Sequence, residues 1–378
     1  MLQDTILAQA GSRRDPATGA IAMPIHLSAA FQHPALGQST GFDYSRTVNP
    51  TRLAFEETLA ALENGARAVA FGSGLAAIDA VLRLFSSGDT IVVTEDLYGG
   101  TFRLFERFGV AQGVTCLYVD TTDLEAVKTA LQSPGVKGLF VEVPTNPLLK
   151  VADIKSLAGL AKSVNALFIV DNTFLTPVLF RPLENGADIV VYSATKYLGG
   201  HNDLIAGAAV AANAEIGERL AFIQNAAGAI LGPFESWLLL RSVKTLHLRM
   251  KRQQENALQI AHFLHGCDRV HSVYYPGLPS DPGHAVLSRQ AAGYGAMISF
   301  EVESPIFARE LLSRTKVFLF AESLGGTESL VTYPIAQTHA DMDASILARI
   351  GLTGRLLRLS IGLEAPSDLI SDLAQAFG

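Results

Sequence analysis

Six short apolar runs, set apart by helical stretches, decide most of what this chain can become. From about Thr51 the runs 66–71, 90–94, 114–119, 137–143, 167–170 and 189–192 recur, and between them lie the helical segments 53–62, 75–85, 124–131 and 154–164. A strand that is apolar along its whole length is buried on both faces. Strands alternating with helices then build a mostly parallel sheet with helices on each side. The expected fold class is therefore α/β. A long helical stretch near 235–264 leads to a second, smaller α+β unit, with 295–302 and 356–361 as strands. Residues 1–50 are irregular and rich in proline and glycine, and such a segment cannot build its own core. The expected division is an arm (1–50) lying on a neighbouring subunit, a large domain (51–240) and a C-terminal domain (241–378).

Composition narrows the function. Of 378 residues, 49% are hydrophobic and 17% charged, which suits a large core and an oligomer. A net charge of −7 with no basic block argues against nucleic acid. No apolar run approaches membrane-spanning length. The two cysteines, Cys116 and Cys267, make no metal-type spacing, and the first sixteen residues lack the apolar stretch of a signal peptide. These features lead us to expect a cytoplasmic protein without a metal; His201, His262 and His265 have no ligand partners at useful spacing.

The chemistry concentrates where apolar runs end. Lys196 follows the run 189–192 within Ser193-Ala194-Thr195-Lys196. Burial of a lysine disfavours its charged form, and a neutral amine bonds to an aldehyde. The hydroxyls of Ser193 and Thr195 suit a phosphate, so the stretch suggests pyridoxal 5′-phosphate. Asp171 ends an earlier run, at the strand edge where open α/β sheets bind ligands. A carboxylate there holds a pyridine nitrogen cationic, or it caps the next turn. Ser73, Gly74 and Leu75 lie between a strand and a helix, where backbone N–H groups receive an anion, although Ser73 as a plain N-cap explains the same residues. Tyr98 fits stacking on a ring, or an amphipathic surface site. Tyr44 and Arg46 lie in the arm, reaching a ligand or partner or making a surface ion pair. Arg358 sits within an apolar run and calls for a carboxylate, from the substrate or from the protein.

Taken in order, these motifs resemble the Cys/Met-metabolism pyridoxal-phosphate enzymes, the relatives of cystathionine γ-synthase and the cystathionine β- and γ-lyases. The likeness runs from Thr18-Gly19-Ala20 through Asp43-Tyr44-Ser45-Arg46, Glu142-Val143-Pro144-Thr145-Asn146-Pro147 and Ser193-Ala194-Thr195-Lys196 to Arg358-Leu359-Ser360. The resemblance implies the fold type I architecture and a homotetramer built from close dimers. It implies that Lys196 carries the cofactor, Asp171 pairs with the pyridine nitrogen and Tyr98 stacks on the ring. Ser73, Ser193, Thr195 and the backbone of Gly74 and Leu75 would hold the phosphate, with Tyr44 and Arg46 reaching it from the adjacent subunit. Arg358 would grip the substrate α-carboxylate, with Ser323 and Asn146 nearby. Leu75 stands where many relatives carry Met.

Within that family the segments 39–44 and 332–339 look most like bacterial γ-synthases that also act as O-acylhomoserine sulfhydrylases. Glu322 stands where synthases and γ-lyases tend to have Glu, an acid suited to the distal ammonium of cysteine or cystathionine. Gly100 stands where methionine γ-lyases carry a cysteine. The implied reaction is γ-replacement on O-acyl-homoserine by cysteine, giving cystathionine. The rival readings are a lyase that cleaves cystathionine, and a regulator of the same fold without catalysis.

Overall fold

The computed structural model describes all 378 residues. Seven strands form the larger sheet: β1 (Arg67–Phe71), β2 (Thr90–Thr94), β3 (Thr115–Val119), β4 (Val136–Glu142), β5 (Leu167–Asp171), β6 (Ile189–Tyr192) and β7 (Gly207–Ala211). Their order is β1-β7-β6-β5-β4-β2-β3. Strand β7 runs antiparallel to both of its neighbours, and the β2–β3, β2–β4, β4–β5 and β5–β6 pairs are parallel. This is the expected mostly parallel sheet.

Successive side chains of a strand point to opposite faces, and both faces here are apolar. Phe71, Ile91, Val93, Phe140, Ile169, Ile189 and Val191 pack into one cluster under the helices Gly74–Leu82 and Ala214–Ala227. Ala70, Val92, Leu139, Val141, Phe168, Val170 and Val190 join the main core on the other face. The central runs are apolar because neither face of those strands meets water; the edge strand β3 is half-buried.

The sequence reading omits β7 because Gly-Ala-Ala-Val-Ala carries little β-propensity. Its small residues have a tertiary cause: a Cβ at Gly207 would lie 2.0 Å from the Ser73 carbonyl oxygen and 2.7 Å from the Gly74 nitrogen. The strand must be thin where the β1–helix turn crosses it.

The stretch read as one helix is two, Pro233–Val243 and Leu246–His265, separated at Lys244 and Thr245. The second leads into a five-stranded sheet of β8 (Val270–Tyr274), β9 (Met297–Val302), β10 (Leu319–Phe320), β11 (Leu330–Thr332) and β12 (Leu356–Ser360), in the order β10-β11-β12-β9-β8. The helices Leu246–His265 and Pro366–Phe377 pack together beside it.

The first fifty residues are less irregular than their composition suggests. Gln3–Ala8 is helical, and Leu7, Ala10 and Met23 are buried in the chain's own core. Beyond them the arm is largely exposed until the helix Pro50–Glu63, which Asn49 caps by accepting from the N–H groups of Thr51 and Arg52.

Candidate active site

The ends of the parallel strands open into a cavity of about 280 Å³ that reaches across to the second sheet. Strand β5 ends in Asp171 and β4 in Glu142, paired in register. Lys196 lies in the turn after β6. The second sheet adds Arg358 from β12, with Glu322 and Ser323 from the β10–β11 connection. All of these side chains line the cavity, together with Ser73, Gly74, Leu75, Tyr98, Asn146, Ser193 and Thr195.

Lys196 donates from Nζ to the Ser323 hydroxyl at 3.2 Å. Burial lowers its pKa to about 8, helped by the Arg358 cation and opposed by Glu322. An amine in this state is mostly protonated at pH 7, but far less so than an exposed lysine with its ordinary value of 10.5. Aldehyde capture by cofactor-free protein should therefore speed up about tenfold per pH unit below 8 and level off above it. Stopped-flow absorbance measures this, and a rate still climbing steeply at pH 10 would show that the amine is not perturbed.

Asp171 accepts from the N–H of Thr173 at 3.0 Å and from its hydroxyl at 2.6 Å, both on Oδ1. Burial raises its pKa to about 6 despite those bonds. A cationic ring nitrogen set against this carboxylate would relieve the desolvation and hold it ionised.

The turn from β1 into the helix Gly74–Leu82 is cut for close approach. A Cβ at Gly74 would meet the Ser193 side chain at 2.9 Å, so only glycine leaves the gap open. The first N–H groups of a helix have no acceptor within it and suit an anion. Ser73 also caps this helix, accepting from the N–H of Ala76 at 3.1 Å. Its side chain thus has the structural role considered from sequence while still lining the cavity. Thr195 bonds through its hydroxyl to the Ala206 carbonyl at 3.1 Å and N–H at 3.0 Å, which fixes the loop after β6. A buried amine, an acid at the strand edge and a glycine-lined helix start form a donor set that fits pyridoxal 5′-phosphate.

Arg358 is 1% exposed and has no carboxylate partner. It donates to Asn146 Oδ1 at 2.6 Å, and more weakly to the Ser323 carbonyl at 3.4 Å and the Thr332 hydroxyl at 3.3 Å, leaving Nε unsatisfied. Burial lowers its pKa to about 10. A buried cation held only by neutral oxygens is suited to an incoming carboxylate.

Tyr44 and Arg46 are not among the residues lining this cavity. Within the chain, Arg46 donates to the Asn225 carbonyl at 2.9 Å and to its side-chain oxygen at 2.8 Å, and its guanidinium lies 5.5 Å from the centre of the Tyr44 ring.

Glu142, Thr173, Ile205, Phe174, Leu324 and Thr338 also line the cavity, with no role assigned from sequence. Glu142 carries the signal that singled out Asp171, an acid closing an apolar strand. Gly100 has a steric reason to be glycine: a Cβ there would stand 2.4 Å from the Tyr98 ring. No group of three His, Cys, Asp or Glu side chains is arranged to hold a metal, and no helix is long and apolar enough to cross a membrane.

Comparison with known proteins gives the same picture. The model of the family described as Cys/Met metabolism PLP-dependent enzyme matches residues 4–378. The cystathionine gamma-synthase/O-acetylhomoserine (thiol)-lyase of Bacillus subtilis is 49% identical, over 99% of this chain and 95% of the relative. The cystathionine gamma-lyase of the same organism is 46% identical, over 100% of this chain and 99% of the relative. A crystal structure of cystathionine gamma synthase from Xanthomonas oryzae pv. oryzae superposes with a TM-score of 0.97 at 43% identity, covering 100% of this chain and 98% of that one.

Proposed function

The chain belongs to the Cys/Met-metabolism PLP-dependent enzymes, and within them we propose that it is a cystathionine γ-synthase, replacing the γ-acyloxy group of an O-acyl-homoserine with the thiol of cysteine. The observation that carries this reading is the polarity of the cavity. Arg358 and Asn146 form a carboxylate-binding pair, and the acid Glu322 lines the same cavity with its charge acting on both Arg358 and Lys196. An amino acid with a second amino-acid head on its far end matches that layout. The similarity to a relative named for both γ-synthase and O-acetylhomoserine activity supports it further.

The cofactor, when bound, supplies a ring that takes up the electrons released as the Cα–H bond breaks. This chain's residues do the rest. Arg358 and Asn146 hold the α-carboxylate and so fix which Cα bond faces Lys196. The Lys196 amine would accept the Cα proton at Nζ, and its lowered pKa lets it do so near neutral pH. Tyr98, on the cavity wall, would stack on the ring. Asp171 would keep the ring nitrogen protonated. Ser73, Gly74, Leu75, Ser193 and Thr195 would hold the phosphate. Tyr44 and Arg46 would complete that site in a neighbouring subunit, which gives the exposed arm a purpose; the working form in this proposal is a cytoplasmic homotetramer of close dimers.

The second reading, elimination from cystathionine, is favoured by the 46% identity to a γ-lyase. Supplying O-acetylhomoserine or O-succinylhomoserine with cysteine, and separately cystathionine alone, separates the two. Cystathionine should accumulate from the first mixtures. A 2-oxo acid from cystathionine with no condensation product would reject the synthase assignment. Glu322→Gln should raise the KM for cysteine about tenfold and that for the acylhomoserine far less, since a charged hydrogen bond contributes about 1.5–3 kcal/mol.

A further inference from the structure

The loops following β2 and β4 carry Tyr98 and Asn146 into the cavity, and two buried acids tie these loops together in opposite directions. Glu142 closes β4 and reaches to the β2 loop, where its Oε2 accepts from the backbone N–H of Tyr98 at 3.0 Å. Asp96 belongs to the β2 loop and reaches back, its Oδ2 accepting from the hydroxyl of Thr145, the residue before Asn146. That hydroxyl in turn accepts from the N–H of Lys150 at 2.8 Å, closing the β4 loop on itself. Asp96 is fully buried and Glu142 is 6% exposed. Each keeps one oxygen without a hydrogen-bond partner, Asp96 Oδ1 and Glu142 Oε1.

Two half-satisfied carboxyl groups are a costly way to brace a turn, since a buried polar atom without a partner costs about 1–3 kcal/mol. Burial pushes Asp96 up to about 6 and Glu142 well above its ordinary value, the latter also through the neighbouring Asp171. A neutral Glu142 accepts the Tyr98 N–H without adding a second charge beside Asp171.

We propose that Asp96 and Glu142 form a reciprocal latch, two positioning residues that fix the spacing between Tyr98 and Asn146. The residue over the cofactor ring and the residue at the substrate carboxylate then move as one unit. The latch rests on the roles given above to Tyr98 and Asn146.

The test uses the holoenzyme. Thr145→Val removes the donor to Asp96 with almost no change in volume. It should raise the KM of the amino-acid substrate about tenfold and leave kcat within about threefold. Glu142→Ala removes the acceptor for Tyr98. It should lower kcat about tenfold and weaken the circular dichroism band of the bound cofactor, while Glu142→Gln, which keeps the acceptor, restores both. The double variant Thr145→Val/Glu142→Ala should fall short of the sum of the single effects, because each change opens the same latch. Tyr98→Phe and Asn146→Ala, measured alongside, test the underlying roles. If neither alters kcat or KM, the reading of the site is wrong, whatever the latch does. If both do while Thr145→Val leaves KM unchanged, or the double variant is simply additive, the latch is overturned. Should Glu142→Ala fail to fold, as melting of the apoprotein would show, the Thr145→Val result still decides.

Discussion

Lys196→Ala should lower turnover about a thousandfold or more, since on the proposed mechanism it removes both the group that tethers the cofactor and the base for the Cα proton. The fold should survive. The backbone of this turn is held by the Lys196 N–H to the Ser193 carbonyl and by the Gly200 N–H to the Lys196 carbonyl, neither of which involves the side chain. The carboxylate-binding end is untouched, so substrate should still bind through Arg358 and Asn146. Borohydride reduction followed by peptide mass spectrometry should find the cofactor on Lys196 in the parent protein and nowhere in the variant. A Lys196→Ala protein as active as its parent would end the catalytic assignment.

Asp171→Asn should cost about a hundred- to a thousandfold in kcat, the range seen when a single preorganised electrostatic contact is lost. The change is nearly isosteric. An amide oxygen accepts both Thr173 bonds as Oδ1 does now, so only the charge is lost. Cofactor affinity should fall much less than kcat, because the tether at Lys196 and the cradle around Gly74 remain. A paired titration of cofactor binding and a single-turnover rate separates the two effects. Activity within about threefold of the parent would mean that the ring nitrogen does not depend on this carboxylate.

The parts of the fold that could be read in advance share one physical trait. Strands β1, β2, β4, β5 and β6 are apolar along most of their length because both of their faces are covered, and that leaves a continuous mark on the sequence. Strand β7 leaves none, because its residues are chosen for thinness against the Ser73–Gly74 turn. Strands β8, β10 and β11 are half-buried or very short, and their alternation is too brief to register. The site followed the same logic. Lys196, Asp171 and Arg358 stand out because each is a charge beside or within an apolar run. Glu142 carries the same mark as Asp171, but what it and Asp96 do depends on which loop each one reaches, and no local spacing encodes that. The first residues of the arm are the exception to its irregular composition. Its proline and glycine content hides the helix Gln3–Ala8, whose Leu7 is buried against the main core.

Position 207 offers a diagnostic for sequences that share this layout. The anion cradle is built directly on a strand that offers no room above it, so even a methyl group there pushes the Ser73–Gly74 turn away from its seat. A homologue with a side chain at that point would have to shift the turn, and, on the role proposed for it, its grip on a phosphorylated cofactor should be measured before its reaction is assigned.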